Sequence, residues 1–131
     1  MLAKLGAKWL LGQPWCGGAV AKWVSEAGFK PVARWWQARA WASWGQPLNH
    51  PAHGCIVVFS RNGGGHVGFV VGEDHSGNLL VLGGNQGDEV NIRAFPRARV
   101  TAYRWPAGVA APVAPGPLPL LASAALSTRE A

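Results

Sequence analysis

The spacing of apolar residues changes from a helical to a strand-like period near residue 45. Between Pro14 and Gly28 the apolar positions recur at helical spacing, at Ala19, Val20, Trp23, Val24 and Ala27. Pro14 suits the first turn of a helix and Gly28 suits the position after its end. A second helix is predicted at about 32–44, because Gly45 and Pro47 follow it.

The rest of the chain holds short β-rich runs separated by Gly, Asn, Asp and Pro. The predicted strands are 55–60, 66–72, 79–83, 90–94 and 100–105. This order predicts an α+β domain over 1–106, in which N-terminal helices pack on a C-terminal antiparallel β-meander of about five strands. Residues 107–131 are rich in Pro and Ala and are predicted to form a flexible tail.

Composition narrows the class of protein. A chain of 131 residues supports one domain with one modest core. The net charge of +6 indicates either a solvated surface or an anionic partner such as nucleic acid, anionic lipid or a cell-wall polymer. Four arginines near the end of the domain carry no accompanying nucleic-acid motif, so no specific nucleic acid is expected. Charge alone does not choose among the remaining partners.

Neither a targeting segment nor a metal site is predicted. The apolar runs around Lys4 and Lys8 are too short for a signal peptide. The uncharged stretch 109–126 contains four prolines, each of which removes a helix donor, so no transmembrane segment is expected. His50 and His53, taken with the cysteines and His66, match no compact Cys/His motif, so no metal ligand is assigned.

Cys16 is a candidate nucleophile because it falls in the first turn of the first predicted helix. The N–H groups and the dipole there stabilise an anion, which lowers the pKa of a thiol. Gly17 and Gly18 are poor helix formers, each costing up to about 1 kcal/mol against Ala. A close approach of substrate or of another backbone explains such a pair. The alternative is that Cys16 is a small buried apolar residue.

His66 is the candidate partner of Cys16. In its strand, His66 shares a face with Gly68 and Val70, and Gly68 is expected to leave room for the Cys16 helix beside the imidazole. The alternative is a structural histidine at the end of a strand.

Asn85 follows from the pairing of the next strand. If 73–78 form the turn, Gly72 pairs with Leu79, and the residue opposite His66 is Asn85, close enough for its amide to hold an imidazole. A slip of one residue puts Gln86 on that face instead. Asn85 also fits a plain glycine-rich turn.

Several segments of the chain resemble one protein family. They are PWCGGAVAKWVSEAG, RAWASWGQPL, HGCIVVFSR, GHVGFVVGED, LLVLGGNQGDEVNI and YRWP. Over 13–106 they look like the papain-like peptidoglycan hydrolases of the NlpC and CHAP group, most of all a branch often found as phage lysins. The resemblance implies that Cys16 is the nucleophile, His66 the general base and Asn85 the group that orients the imidazole.

The resemblance also implies a substrate. Such enzymes cleave amide bonds of cell-wall stem peptides, as endopeptidases or as N-acetylmuramoyl-L-alanine amidases, without a metal or other cofactor. The substrate-binding candidates are Trp15, Gly17, Gln86 and Trp41. Trp36, Ala40 and Trp44 share helical spacing with Trp41 alongside, which is typical of a groove lining and also of a core.

The expected partner is bacterial peptidoglycan, bound by a monomer that is made in the bacterial cytoplasm without a signal peptide and acts on the wall after release, as an endolysin does. Cys55 stands where this family usually has Asp. That departure supports an alternative, a non-catalytic wall-binding or interaction module on the same fold. We expect Cys55 to be a buried, largely unreactive thiol that forms no disulfide with Cys16.

Overall fold

The computed structural model describes residues 16–61, 64–84, 90–112 and 118–120. Helix α1 (Cys16–Glu26) is followed by a 3₁₀ helix (Ala38–Ser43), and a short 3₁₀ turn (Arg97–Arg99) precedes the last strand. The six strands are β1 (Gln46–Leu48), β2 (Ile56–Arg61), β3 (Gly64–Glu73), β4 (Leu79–Gly83), β5 (Asn91–Phe95) and β6 (Val100–Trp105). The predicted α+β class is confirmed, and no described helix is long and apolar enough to span a membrane.

Helix α1 ends where the sequence predicts. Gly28 adopts a φ of 94°, a conformation that glycine reaches without steric cost. Its N–H donates to the Ser25 carbonyl at 3.0 Å, and the N–H of Phe29 donates to the Val24 carbonyl at 2.8 Å. The last turn is therefore closed by backbone bonds.

The second predicted helix, 32–44, is wrong in both type and length. Only Ala38–Ser43 is helical, and it is a 3₁₀ helix. In a 3₁₀ helix every third side chain lies on one face, and the buried positions here are Ala38, Trp41 and Trp44. The indole N–H groups of Trp41 and Trp44 donate to the carbonyls of Trp35 and Lys30, at 3.0 and 2.7 Å. These two carbonyls therefore accept hydrogen bonds from indole side chains, and not from the backbone N–H groups of a longer α-helix.

The sheet is antiparallel, with the strand order β1-β6-β2-β3-β4-β5. Strands β2 to β5 form the predicted meander, whereas β6 crosses over to lie between β1 and β2. Strand β1 was not predicted. It contains Pro47, which is tolerated at a sheet edge because its missing N–H breaks no ladder there.

The sheet has a buried cluster on each face. Helix α1 packs on one face, through a cluster that includes Cys16, Val20, Val24, Trp41, Ile56, Val58 and Val67. The other cluster includes Cys55, Val57, Phe59, Val70, Leu79, Val81, Phe95 and Leu118. The two sets alternate along β2 and β3, as side chains on opposite faces of a strand must. Strand β3 is therefore buried from both sides.

The β3–β4 hairpin is held by its turn. One oxygen of Asp74 accepts the N–H groups of Ser76 and Asn78, at 2.9 and 3.0 Å, and the other accepts the Asn78 amide at 3.2 Å. Desolvation alone raises the pKa of Asp74, but these hydrogen bonds hold it below its ordinary value. A carboxylate that accepts three donors fixes where the turn begins.

The described part of the predicted tail lies against the sheet. Leu118 is buried in the cluster opposite α1. The carbonyl of Pro119 accepts the N–H of Glu73 at 2.9 Å, and Leu120 forms a parallel bridge with Glu73. Residues 118–120 therefore extend the pairing beside the end of β3.

Candidate active site

Cys16 is the first residue of α1 and is 2% exposed. It belongs to the same buried cluster as Val67, the chain neighbour of His66. The N–H groups of a first helical turn point out of the helix end, and together with the helix dipole they stabilise a thiolate. The position of Cys16 is thus the one that the sequence predicts.

Gly17 lies directly under the Trp35–Trp36 peptide. A Cβ added at Gly17 would be 2.1 Å from the Trp35 carbonyl oxygen and 3.3 Å from the Trp36 carbonyl carbon, so only glycine fits there. The sequence left substrate or another backbone as the reason for this glycine, and the structure identifies a backbone. Gly17 therefore brings residues 35–36 against the start of α1.

The same segment also reaches the strand that carries His66. A Cβ added at Gly65 would be 2.9 Å from Cγ of Arg39 and 3.8 Å from Cβ of Ala38. Residues 35–39, which we call the site wall, therefore contact the neighbour of Cys16 at one end and the neighbour of His66 at the other.

His66 is fully buried in a stack of aromatic rings. Its imidazole lies 5.1 Å from the Phe95 ring and 6.2 Å from the Phe59 ring, with interplanar angles of 17° and 25°. Phe59 and Phe95 are themselves stacked at 4.5 Å. The torsion that sets the plane of a histidine ring is soft, so flat neighbours on the same face fix that plane.

The expectation that Gly68 leaves room for α1 is wrong. A Cβ at Gly68 would be 2.6 Å from Cγ1 of Val81 and 2.7 Å from the Leu82 carbonyl oxygen, so this glycine lets β4 pack closely. Helix α1 covers the opposite face of β3, where Trp23 contacts Phe69 at a ring-centroid distance of 5.7 Å. The imidazole thus lies on the Phe59 face, near the start of β3.

The register that predicts Asn85 holds for the two described β3–β4 pairs nearest His66, whereas Gly72 pairs with Leu80 and not with the expected Leu79. Phe69 pairs with Leu82 and Val70 with Val81, as the prediction requires, although the turn begins one residue later than expected. A bulge between Val70 and Gly72 absorbs that residue. Trp15, Asn85 and Gln86 lie outside the described residues. The pairing of Asn85 with His66 therefore stays a prediction.

The structure buries some of the tryptophans that the sequence grouped by helical spacing and exposes another. Trp41 has no exposed surface and packs in the core, so it does not offer a surface to substrate in this conformation. Trp36 is 40% exposed and stands on the site wall. Arg39, another exposed residue of the wall, was not predicted to have a role. The buried positions 38, 41 and 44 are three residues apart, and Trp36 lies outside this series. The three-residue spacing therefore distinguishes the buried Trp41 and Trp44 from the exposed Trp36.

Cys55 is buried, as expected, and it lies in the cluster on the face of the sheet opposite α1. Desolvation raises the pKa of its thiol to about 11. The Ala52 N–H donates a hydrogen bond to the sulfur at 3.4 Å, which lowers the pKa but offsets only part of this rise. No disulfide joins Cys16 to Cys55, and the two residues belong to different clusters. Across the ranges that the structure describes, no three His, Cys, Asp or Glu side chains form a group that could hold a metal ion.

Comparison with known proteins identifies the family. The family model of the CHAP domain matches residues 8–85, which is more than half of the chain and includes both Cys16 and His66. No curated protein and no solved structure matches the chain. The extent of the family match is sufficient by itself: this chain belongs to the CHAP domain family.

Proposed function

We propose that this protein is a cysteine hydrolase that cleaves amide bonds in the stem peptides of peptidoglycan, with Cys16 as nucleophile and His66 as general base. CHAP membership supports peptidoglycan hydrolase activity in general. The observation that carries the finer assignment is the site wall, which contacts the neighbours of both residues, Gly17 and Gly65.

The proposed reaction is acyl transfer through a thioester. The Cys16 thiol gives its proton to His66, and the sulfur forms a bond to the carbonyl carbon of the substrate. The C–N bond then breaks, and the proton held by His66 passes to the leaving amine. Water, deprotonated by His66, attacks the thioester and releases a carboxylic acid and the free thiol. The first turn of α1 lies where its N–H groups stabilise the oxyanion, since Cys16 begins the helix.

Two features support His66 as the base. The stack on Phe95 and Phe59 fixes the plane of its ring. The pairs Phe69–Leu82 and Val70–Val81 support the prediction of Asn85 as the partner of His66, because the same register extended by three residues pairs these two positions, and an amide there would fix the direction of one ring nitrogen. A plane and a direction together define the orientation of an imidazole, which is what a general base requires.

Purified peptidoglycan provides the test. The wild-type protein should release new amino groups and carboxyl groups in equal amounts, and Cys16→Ala should release none. Cys55→Ser is the matched control, because it removes the other thiol of the chain, which lies on the far face of the sheet. Equal rates of release by wild type and Cys16→Ala would refute this assignment.

A specific observation favours a second candidate, a wall-binding module without activity. His66 is fully buried, and its ring lies on the face of β3 opposite the one that α1 covers. This candidate predicts that wild type and Cys16→Ala co-sediment equally with peptidoglycan and that neither releases products. Release that depends on Cys16 would exclude it.

A further inference from the structure

We infer that an apolar groove at the C-terminal end of α1 binds a straight-chain carboxylate of about eight carbons, whose carboxylate pairs with Arg104. This binding site is separate from the candidate active site, and the proposed hydrolysis does not require it. Val24, which lines the groove, lies about 12 Å along α1 from Cys16.

The floor of the groove is a row of side chains that crosses the sheet. Ile56 on β2 pairs with Arg104 on β6 and with Phe69 on β3, and directly paired residues project from the same face. This face is the one that α1 covers, since Ile56 belongs to the same buried cluster as Val24. Two strand spacings separate the ends of the row by about 10 Å. The floor therefore begins at a cation and continues over apolar side chains.

The walls of the groove are apolar. Trp23 and Val24 of α1 line one part of a cavity of about 240 Å³, and Phe29 and Trp44 line another, with their ring centroids 6.5 Å apart. The Trp44 indole N–H already donates to the Lys30 carbonyl at 2.7 Å. Peptide groups would lose their hydrogen bonds to water in such a lining without replacement, whereas an alkyl chain loses none. The lining thus favours a hydrocarbon chain over a peptide.

Arg104 supplies the charge at one end of the groove. Its Nε donates to the Trp44 carbonyl at 2.6 Å and its Nη2 to the Gly45 carbonyl at 3.2 Å, which holds the guanidinium in place. A guanidinium has more N–H donors than these two carbonyls accept, so it can still bind a carboxylate. The ion pairs found among the described residues do not involve Arg104. Partial burial lowers its pKa, and a partly desolvated cation is stabilised by a ligand that brings an anion.

The length of the floor sets the length of the ligand. C–C bonds of about 1.5 Å advance an extended chain by roughly 1.25 Å each, so about eight carbons reach from Arg104 to Phe69. Each further methylene that is buried strengthens binding by about fourfold. Affinity should therefore rise steeply with chain length up to octanoate and then level off, because additional carbons pass the end of the floor.

Calorimetric titration of the full-length protein with sodium carboxylates, at concentrations below those that form micelles, tests this site. One octanoate should bind per chain, about 15-fold more tightly than hexanoate, and decanoate should gain less than about twofold over octanoate. The neutral 1-octanol should bind about tenfold more weakly than octanoate, because it lacks the charge-assisted hydrogen bonds to the guanidinium. This comparison needs no variant, so it tests the role of the cation even if a substitution at Arg104 impairs folding.

Two arginine variants locate the effect in the groove. Arg104→Gln should weaken octanoate by about tenfold and leave 1-octanol unchanged. Arg97→Gln is the matched control and should change neither, because Arg97 also donates to a backbone carbonyl, that of Gly77, but lies beside the β3–β4 turn. No binding of octanoate, equal affinity of the wild type for octanoate and 1-octanol, or affinity that keeps rising fourfold per carbon beyond octanoate would each overturn the inference.

Discussion

Replacing Gly17 with alanine probes the contact between α1 and the site wall. The new Cβ would lie 2.1 Å from the Trp35 carbonyl oxygen, and real Cβ contacts essentially never fall below 3.0 Å. The helix start or the wall must therefore move by about 0.9 Å. Overpacking of this kind costs about 1–3 kcal/mol. Alanine regains up to about 1 kcal/mol of helix propensity. The expected net loss in the free energy of unfolding is about 1–2 kcal/mol.

The larger effect should be on catalysis. A shift of about 1 Å at Gly17 moves the neighbouring Cys16 sulfur relative to its carbonyl target, and misplacement on this scale costs about 10²-fold in rate. We expect kcat for release of amines from soluble muropeptides to fall by about that factor in Gly17→Ala. Urea unfolding followed by tryptophan fluorescence gives the stability change in parallel.

Gly28→Ala is the matched control at the other end of α1. Its φ of 94° strains any residue with a side chain, whereas no atom lies within 4 Å of the added Cβ. It should lose about 1 kcal/mol of stability and keep its kcat, because it lies about 16 Å along the helix from Gly17. Full stability and full activity of Gly17→Ala would refute the close approach of Trp35 to α1.

Three further predictions concern residues away from the wall. Cys55→Ser should keep activity within about tenfold, because Cys55 is buried on the far face of the sheet, while Cys16→Ser should lose it by orders of magnitude, as initial rates on muropeptides would establish. Since burial raises the pKa of Cys55 to about 11, its contribution to stability is complete below the unfolded-state pKa near 9 and is lost as the pH rises from about 9 to about 11. Urea titrations across that pH range should show a decline in the free energy of unfolding that is absent in Cys55→Ala. The same dependence on pH in both proteins would contradict the raised pKa of Cys55. Leu118→Ala should cost about 2–3 kcal/mol in the same titration, because Leu118 is buried against the sheet, and a loss below about 0.5 kcal/mol would show that its packing is unimportant.

The local elements of this fold follow closely from the sequence. The predicted strands 79–83 and 100–105 match β4 and β6, and the start of α1 at Cys16 and the glycine after its end agree with the pattern. These elements are set by short-range physics, namely alternation, helix capping and glycine turns. The place of β6 between β1 and β2 depends on which edges pair, and alternation within a strand carries no information on that.

The region 32–44 could not be predicted because its conformation depends on distant groups. Helical spacing favours an α-helix there, but two indole N–H groups bind backbone carbonyls, and the burial repeat is three residues. The three-residue repeat also determines which tryptophan is accessible near the candidate site, because it buries Trp41 and leaves Trp36 exposed. Tertiary hydrogen bonds of this kind are invisible to a periodicity analysis.

The candidate site was predicted in part. The sequence identified the helix start at Cys16 and the strand at His66, and it predicted a β3–β4 register that two of the four described pairs follow. The face of β3 on which α1 packs was predicted wrongly, as the side of His66 and Gly68. Alternation assigns residues to two faces but does not say which face a helix covers when both are apolar, as they are in β3.

Alkylation of the thiols tests the central claim most directly. Wild-type protein would be treated with iodoacetamide at neutral pH, and samples taken over time would be assayed for amide hydrolysis and mapped by peptide mass spectrometry. A nucleophilic Cys16 predicts that activity falls in proportion to modification at Cys16, while Cys55 stays unmodified. Undiminished hydrolysis after complete modification of Cys16 would contradict the assignment of this residue as the nucleophile.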